Sequence, residues 1–329
     1  METINWGIIG CGDVTERKSG PAFNKVPNSR LVAVMRRNAA AAEDYAQRHG
    51  VPKWYADADA LIADPEVNAV YIATPPESHC ELALKVAAAG KPCYVEKPMA
   101  RNAAECARMV EAFEQAKLPL FVAYYRRSHP HFQRVKAIID SGELGELRQL
   151  NYDYANRSML SVDTLDQWRY DPETAGGGLF WDLGSHALDL FDYWMGPLLG
   201  VTGQVINRTG RTQVEELAGM TAHTAKGVAM HGAWNFMSTE HLDEVTLRFS
   251  KGVVRCSIFG PADLYITDAA GEERVEKYQL PENVQHYLIA NMVASLRGEE
   301  APLSTGVSGQ RTNQVIDAVA SHRVEGGSL

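Results

Sequence analysis

Short apolar runs and helical patterns alternate along the first third of the chain. The apolar runs show little polar alternation, and a glycine or a proline ends most of them. Runs of this kind are typical of parallel strands that helices cover on both faces. Predicted strands cover residues 4–9, 31–35, 67–74, 92–96 and 118–125, and predicted helices cover 39–49, 78–89 and 103–116. The alternation predicts a doubly wound α/β domain.

A different pattern follows residue 125. Apolar and polar residues alternate over several short segments, which is typical of antiparallel strands with one buried face. The alternating segments cover residues 147–154, 227–236, 244–249 and 253–259, and predicted helices cover 132–141, 179–195, 284–296 and 308–320. The sequence therefore predicts two domains, a doubly wound domain over residues 1–123 and an α+β domain over residues 124–329.

The composition narrows the class of protein. A chain of 329 residues has room for about two domains. Hydrophobic residues make up 45% and charged residues 22%, which is ordinary for a globular protein and argues against disorder. The formal net charge is −9, whereas nucleic-acid binders and polybasic membrane-surface proteins need a concentrated positive field. We therefore expect no nucleic-acid partner and no membrane partner.

The apolar runs and the cysteines indicate in which cellular compartment the protein is expected. No apolar run approaches the 18 or more residues of a membrane span, and the first residues include an acid and no basic segment of a signal peptide. The five cysteines form no C-x-x-C pair, which disfavours a disulfide framework and a zinc knuckle. We expect a cytoplasmic protein with reduced, buried thiols at Cys11, Cys80, Cys93, Cys106 and Cys256.

A glycine-rich loop follows the first predicted strand. Gly10 permits a tight turn, and Gly12 lets the backbone approach a pyrophosphate at the start of a helix that Asp13 and Val14 open. Thr15 stands where the dinucleotide-binding fingerprint has its third glycine, so the fingerprint is incomplete. A G-x-G loop is often only a turn, but its place in a βαβ unit favours dinucleotide binding and a Rossmann domain.

The end of the second strand indicates which dinucleotide binds. An acidic residue there would bind the ribose 2′-hydroxyl of NAD(H), whereas arginine accommodates the 2′-phosphate of NADP(H). The strand runs into Arg36 and Arg37 with no acid beside them, and a planar guanidinium suits a bidentate grip on phosphate. The alternative is that the two arginines only cap a surface turn. We predict a preference for NADP(H) over NAD(H).

Candidate site residues follow two further strands of the same domain. Glu96 and Lys97 end the fourth predicted strand, at the carboxyl edge of the sheet where ligands of doubly wound folds bind. From there Lys97 can face the nicotinamide and a substrate oxygen, although surface lysines are common. Thr74, Pro75 and His79 follow the third predicted strand. His79 either lines the nicotinamide pocket or is only the first residue of a helix.

The predicted helix over residues 179–195 carries an unusual set of polar side chains. Asp182, His186, Asp189 and Tyr193 are 4, 3 and 4 positions apart, so they share one face. A solvated face usually carries lysine, arginine and glutamate, and this face has none, which favours the wall of a pocket. A metal site on Asp182 and His186 lacks a third and a fourth ligand, and we predict no metal.

These residues together indicate a redox reaction at a carbon that bears a hydroxyl group. Imidazole is the side chain that accepts a proton most readily near neutral pH, so His186 is the candidate general base for the hydroxyl proton. Asp182 or Asp189 can orient His186 or hold neighbouring hydroxyls of the substrate. Lys97 can stabilise the negative charge that develops on the reacting oxygen. A site of carboxylates and imidazole suits a polyhydroxylated, uncharged small molecule.

Five short motifs stand in order along the chain. They are G-I-I-G-C-G (7–12), I-A-T-P-P-E-S-H (72–79), A-G-K-P-C-Y-V-E-K-P (89–98), a Tyr-Arg segment that ends in proline (125–130) and G-G-G-L-F-W-D-L-G-S-H-A-L-D (176–189). Each motif is weak alone, but five in this order are highly specific. Together they resemble the Gfo/Idh/MocA oxidoreductases, the group of glucose–fructose oxidoreductase and inositol dehydrogenase. The resemblance covers nearly the whole chain.

The resemblance implies roles for particular positions. Lys97 matches the catalytic lysine of the family's E-K-P motif, and Asp182 and His186 match its D-x-x-x-H pattern. Trp168 and Arg169 resemble a Trp-Arg pair that lies near the nicotinamide in some members. The resemblance also implies that the C-terminal domain has an open, mostly antiparallel sheet, often used for oligomer contacts, so we expect a homodimer or a homotetramer. Members act on sugars, inositols, dihydrodiols and related polyols.

We therefore predict an NADP(H)-dependent oxidoreductase of a sugar or another polyol, in which His186 moves the proton and Lys97 polarises the reacting oxygen. One alternative is a sensor that binds a dinucleotide without catalysis, although it would need none of Lys97, Asp182 and His186. Another is a hydrolase that uses tightly held NAD for a transient oxidation. The predicted cofactor contacts are Gly10, Gly12, Asp13, Val14, Arg36, Arg37, Thr74, Pro75, His79, Glu96, Lys97, Trp168 and Arg169.

Overall fold

The computed structural model describes residues 2–160 and 168–326, which form two compact units. Residues 2–128 and 281–310 make up the first unit, and the other described residues make up the second. The predicted bounds, 1–123 and 124–329, stay a prediction. The structure adds residues 281–310 to the first unit, because apolar side chains of the helix over residues 286–296 pack into one of its cores.

A six-stranded parallel sheet forms the centre of the first unit. Ile8 and Tyr71 are buried in the core on one face, and Ile9 and Ile72 are buried in the core on the other. The strands can be apolar throughout because both faces are shielded from water, which confirms the predicted doubly wound fold. The strands are β1 (Ile4–Ile9), β2 (Ser29–Met35), β3 (Lys53–Tyr55), β4 (Ala69–Ile72), β5 (Cys93–Val95) and β6 (Leu120–Val122), in the order β3-β2-β1-β4-β5-β6.

A nine-stranded sheet forms the centre of the second unit. Its strands are β7 (Leu147–Ala155), β8 (Leu199–Asn207), β9 (Leu217–His223), β10 (Ala229–Asn235), β11 (Leu242–Phe249), β12 (Gly252–Cys256), β13 (Asp263–Thr267), β14 (Glu273–Lys277) and β15 (Arg323–Glu325). Their order is β14-β13-β12-β11-β7-β10-β9-β8-β15, with β7–β10 and β8–β15 parallel and the other pairs antiparallel. Burial alternates along β10, where Met230 and Trp234 are buried and His231 is exposed. The predicted open, mostly antiparallel sheet is confirmed.

Polar caps set the starts of several helices. The side chains of Asn38, Asp57 and Asn102 each accept a hydrogen bond from the backbone N–H three residues further on. The helices of the described residues are α1 (Asp13–Arg17), α2 (Gly20–Lys25), α3 (Ala39–His49), α4 (Ala58–Ala63), α5 (His79–Ala88), α6 (Ala103–Ala116), α7 (Pro130–Ser141), α8 (Pro172–Ala175), α9 (Ser185–Met195), α10 (His286–Leu296) and α11 (Gly306–Ala320).

The helix predicted over residues 179–195 has two parts. Phe180–Gly184 form a π-helical turn, and α9 continues from it. Asp182 therefore lies in the π turn, whereas His186 and Asp189 lie in the α-helix. Single π turns are rare and often occur at functional sites.

A break at residues 18–19 separates α1 from α2. A Cβ at Gly20 would lie 2.2 Å from the carbonyl oxygen of Thr15 and 2.4 Å from the hydroxyl oxygen of Tyr45. That hydroxyl donates a hydrogen bond of 2.9 Å to the same carbonyl. The break therefore allows the start of α2 to pack directly against α1 and Tyr45.

Replacement of Gly20 by alanine is expected to destabilise the protein by about 1–3 kcal/mol, because the new methyl group fits only if the backbone moves. Urea unfolding followed by circular dichroism measures the change. Gly219→Ala is the matched control, since a Cβ at that strand glycine has nothing within 4 Å. Equal unfolding midpoints for the two variants would contradict the packing argument.

Candidate active site

The loop after β1 is shaped by two glycines with different environments. Gly10 has a φ of +90°, and a Cβ there would lie 2.7 Å from Cγ2 of Thr74. Glycine is thus required both by the left-handed backbone and by the close approach of the loop after β4. A Cβ at Gly12 would meet only the carbonyl oxygen of Gly10, at 3.9 Å. The open space beside Gly12 fits the close backbone approach that a pyrophosphate needs.

Thr15 closes this loop where the fingerprint has its third glycine. Its buried hydroxyl accepts a hydrogen bond from the N–H of Gly12 at 3.0 Å and donates one to the carbonyl of Gly12 at 2.8 Å. Asp13 and Val14 open α1, where the backbone N–H groups have no partner within the helix. The loop is therefore held from inside by the threonine.

The two arginines lie where β2 runs into α3. Arg36 and Arg37 are exposed, and neither is engaged in an ion pair with another described residue. The backbone N–H of Arg36 donates to the carbonyl of Tyr55 at 3.2 Å, which fixes the turn. Asn38 caps α3, so no acidic residue follows the strand. The end of β2 is where a Rossmann fold places the residue that contacts the ribose 2′-substituent. That Arg36 and Arg37 bind a 2′-phosphate stays a prediction.

His79 is fully buried between two strand-end loops. Its Nε2 lies 2.7 Å from the carbonyl oxygen of Thr74, and its Nδ1 lies 3.1 Å from that of Pro98 and 3.2 Å from that of Met99. Burial lowers the pKa of the imidazole. The hydrogen bonds to the carbonyl groups act in the opposite direction but do not outweigh the burial. The ring thus connects the loop after β4 with the loop after β5. That His79 contacts the cofactor stays a prediction.

A buried hydrogen-bond network surrounds the carboxylate of Glu96. The hydroxyl of Tyr71 donates to Oε1 at 2.6 Å, and the side-chain amide of Gln285 donates to the same oxygen at 2.7 Å. The hydroxyl of Tyr94 donates to Oε1 of Gln285 at 2.6 Å. Burial and the nearby carboxylate raise the pKa of Tyr71 well above its usual value, so it remains a donor.

The network extends to Lys97, whose backbone N–H donates to Oε2 of Glu96 at 3.1 Å. Lys97 is half-buried and lies two residues after the end of β5, just as Thr74 and Pro75 lie shortly after the end of β4. The structure thus brings the predicted residues of the first unit to the carboxyl ends of β1, β2, β4 and β5. Sequence reasoning missed Gln285, which stands 189 positions after Glu96 and carries no motif.

In the second unit, Trp168 and Arg169 lie beside the π turn. The guanidinium carbon of Arg169 lies 4.5 Å from the centre of the Trp168 ring, and Nε of Arg169 lies 3.4 Å from Oδ2 of Asp182. Asp182 is half-buried, and Trp168 is exposed. The structure thus joins three predicted site residues into one group. That Trp168 and Arg169 bind the cofactor stays a prediction.

His186 and Asp189 lie inside the second unit. His186 is 3% exposed and Asp189 is 1% exposed, and the imidazole makes an edge contact with the ring of Phe259 at 5.9 Å between centroids. Tyr193 is half-buried on the same helix. These exposures exclude an ordinary solvated face, the alternative that the sequence left open. Burial of polar groups of this kind costs free energy unless hydrogen bonds compensate for the lost contact with water.

Glu215 is a buried acid that the sequence analysis did not single out. Its carboxylate accepts hydrogen bonds from the N–H of Gly178, at 3.0 Å to each oxygen, and from the N–H of Phe180 at 2.9 Å. Burial raises its pKa to about 7. The hydrogen bonds from these N–H groups and the positive charge of Arg323 lower the pKa, but by less than burial raises it. Glu215 thus holds the segment that leads into the π turn.

Some kinds of site do not occur in the described part of the chain. Within residues 2–160 and 168–326, no group of three or more histidine, cysteine, aspartate and glutamate side chains could hold a metal ion. In the same ranges, no helix is long and apolar enough to cross a membrane. The five cysteines are buried and unlinked.

Comparisons with known proteins agree on one family. Residues 4–124 match the sequence model of an oxidoreductase family with an NAD-binding Rossmann fold, and residues 132–255 match the GFO/IDH/MocA C-terminal domain. Oxidoreductase P35 of Formosa agariphila is 38% identical over 88% of this chain and 90% of its own length. The trans-1,2-dihydrobenzene-1,2-diol dehydrogenase of Bos taurus is 28% identical over 77% of this chain and 73% of its own length.

Solved structures show the same fold. Levoglucosan dehydrogenase in complex with NADH and levoglucosan superposes with a TM-score of 0.88 at 19% identity, over 96% of both chains. An aldose-aldose oxidoreductase from Caulobacter crescentus superposes with a TM-score of 0.82 at 23% identity, again over 96% of both chains. At such identities the likeness concerns the fold alone.

The raised pKa of Glu215 predicts a pH-dependent stability. Between its ordinary pKa of 4.5 and about 7, the folded chain holds more protons than the unfolded chain. The contribution of Glu215 to the free energy of unfolding therefore falls as the pH rises through this range, by up to about 3 kcal/mol. Glu215→Gln does not titrate, so urea unfolding at pH 5 and pH 8 should show the wild type losing stability relative to the variant. A difference that does not change with pH would contradict the raised pKa.

Proposed function

The chain belongs to the Gfo/Idh/MocA family of oxidoreductases, and on that premise we propose that it transfers a hydride between NADP(H) and the CH–OH carbon of a sugar, an inositol or a related polyol. The observation that carries this proposal is the enclosed imidazole of His186, which shares its helix with the buried carboxylate of Asp189. Dehydrogenases of a dihydrodiol and of levoglucosan among the relatives support a substrate with several hydroxyl groups.

The proposed residues have two tasks in the reaction: His186 transfers a proton, and Lys97 stabilises the negative charge that develops on the substrate. In the oxidative direction, the imidazole of His186 takes the proton of the substrate hydroxyl while the C–O bond becomes a carbonyl. The ammonium of Lys97 donates a hydrogen bond to the reacting oxygen and stabilises its negative charge. Asp182 holds a neighbouring hydroxyl of the substrate or orients His186. The nicotinamide ring, when bound, accepts or returns the hydride.

The backbone near Lys97 supports this role. The buried Glu96 carboxylate holds the N–H of Lys97, and Tyr71 and Gln285 hold the carboxylate. A general acid or an electrostatic stabiliser acts well only when its position is fixed before the reaction. Lys97 is therefore better suited to polarise an oxygen than a lysine on a mobile surface.

A cytoplasmic location and a homodimer or homotetramer stay predictions from the sequence.

We expect Lys97→Met and His186→Asn to lower kcat by about 100- to 10,000-fold, because each variant removes a group that acts in the transition state. Absorbance at the nicotinamide band, with aldoses, inositols and dihydrodiols as a substrate panel, measures turnover. Fluorescence titration should show that both variants still bind the cofactor. Lys251→Met, at an exposed turn after β11, is the control.

Three results would count against parts of this assignment. Unchanged kcat in Lys97→Met would remove the lysine from the reaction. Unchanged kcat in His186→Asn would remove the histidine from proton transfer. Conversion of a glycoside without net absorbance change would favour a hydrolase with tightly held NAD.

The preference for NADP(H) rests on Arg36 and Arg37, which are exposed at the end of β2 with no acid beside them. A charge-assisted hydrogen bond is worth about 1.5–3 kcal/mol, which corresponds to about 10- to 100-fold in affinity. We expect the double variant Arg36→Ala with Arg37→Ala to weaken NADPH binding by this factor and to leave NADH binding nearly unchanged.

Fluorescence titration with both reduced cofactors measures these affinities. Arg30→Ala is the matched control, because Arg30 is an exposed arginine near the opposite end of β2. It should leave both affinities unchanged. Tighter binding of NADH than of NADPH by the wild type, or equal weakening of both cofactors in the double variant, would refute the preference.

A further inference from the structure

Two neighbouring acids, Glu215 and Glu216, are both buried just before β9 and hold different segments. Each is 1% exposed. The carboxylate of Glu215 accepts from the N–H groups of Gly178 and Phe180, whereas that of Glu216 accepts from the N–H groups of Arg208 at 2.9 Å and Thr209 at 3.0 Å. A buried carboxyl group thus holds each of the two segments. The segment that Glu215 holds leads into the site helix, the name we give to Phe180–Gly184 together with α9.

We propose that Glu215 is a positioning residue for the redox reaction, because its carboxylate fixes the backbone from which Asp182 and His186 project. The inference rests on the proposed function, since Glu215 acts only through those two residues.

Further hydrogen bonds connect the backbone that Glu215 holds, at Gly178 and Phe180, to both site residues. The N–H of Asp182 donates to the carbonyl of Gly178 at 3.2 Å, so one peptide segment is bonded to Glu215 on one side and to Asp182 on the other. The N–H of Ser185 donates to the carbonyl of Phe180, the second residue that Glu215 holds. Ser185 directly precedes His186. A shift of the held backbone would therefore move both site residues.

The carboxyl group of Glu215 is suited to this task. A carboxylate offers two oxygens, and here Oε1 accepts from two N–H groups and Oε2 accepts from one. Glutamine at this position keeps one acceptor oxygen, which can replace Oε1, but turns an NH₂ group toward the N–H of Gly178. Leucine keeps the approximate volume and accepts nothing, so it leaves buried N–H groups without their acceptor.

The test compares Glu215→Gln and Glu215→Leu with Glu216→Gln as the matched control. We expect kcat to fall by about 10-fold in Glu215→Gln and by about 100-fold in Glu215→Leu, because small displacements of reacting groups cause losses of this size. The KM for the cofactor should stay within about twofold, since the described hydrogen bonds of the Glu215 carboxylate go to Gly178 and Phe180, which are not predicted cofactor contacts. Glu216→Gln should lose stability but keep kcat.

A second measurement does not depend on activity. Hydrogen exchange followed by mass spectrometry should show residues 176–184 exchanging about 10- to 100-fold faster in Glu215→Gln, because the N–H of Gly178 loses one of its two acceptor oxygens and faces an NH₂ group instead. In Glu216→Gln, residues 207–211 should exchange faster and residues 176–184 should not. If Glu215→Leu does not fold, the glutamine variant and its exchange rates decide the question.

The outcomes separate this proposal from the proposed function. Unchanged exchange over residues 176–184, or unchanged kcat in a folded Glu215→Gln, would overturn the positioning role. Equal losses of kcat in Glu215→Gln and Glu216→Gln would also overturn it, because a general loss of stability would then explain both. A wild type that turns over no polyol with either cofactor would refute the proposed function. Faster exchange in Glu215→Gln would still establish that Glu215 holds the backbone of residues 178–180.

Discussion

A carboxylate that is removed from water needs hydrogen-bond donors inside the protein, and this constraint organises both units. In the first unit, Glu96 takes its donors from Tyr71, Gln285 and the backbone of Lys97. In the second unit, Glu215 takes its donors from the backbone that leads into the site helix. In both units, some of the donors belong to a segment that carries a predicted catalytic residue. The hydrogen bonds that satisfy each buried acid therefore also fix backbone segments next to predicted site residues.

The two acids meet this constraint in different ways. Glu96 depends on a tyrosine hydroxyl and a glutamine amide, and these come from β4 and from the residue before α10. Its environment therefore depends on the residue type at distant positions. Glu215 depends on main-chain N–H groups, which every residue except proline supplies, so its environment depends on the path of the chain. The first arrangement is sensitive to substitution of its partners, and the second is sensitive to the shape of one loop.

The sequence predicts the parts of this structure that local patterns determine. The apolar strands, the turn at Gly10 and the position of Lys97 after β5 all follow from residues that are close together in the chain. Gln285 could not be predicted, because its contact with Glu96 joins segments 189 positions apart. Glu215 and Glu216 have the charge of a solvated turn, and only the three-dimensional path of residues 176–180 and 207–209 supplies their donors. Local spacing carries no information about such donors.

The site helix shows why spacing alone also misplaces a residue that it identifies. A spacing of 4, 3 and 4 positions gives one face only when every turn is α-helical, and the π turn at Phe180–Gly184 breaks that condition for Asp182. Asp182 is half-buried and lies 3.4 Å from Arg169, whereas His186 is buried beside Phe259. The two residues of the D-x-x-x-H pattern therefore have different environments. The aspartate, which retains contact with solvent, suits the binding of a hydroxyl group that must enter and leave, and the enclosed imidazole suits a proton transfer from which water is excluded.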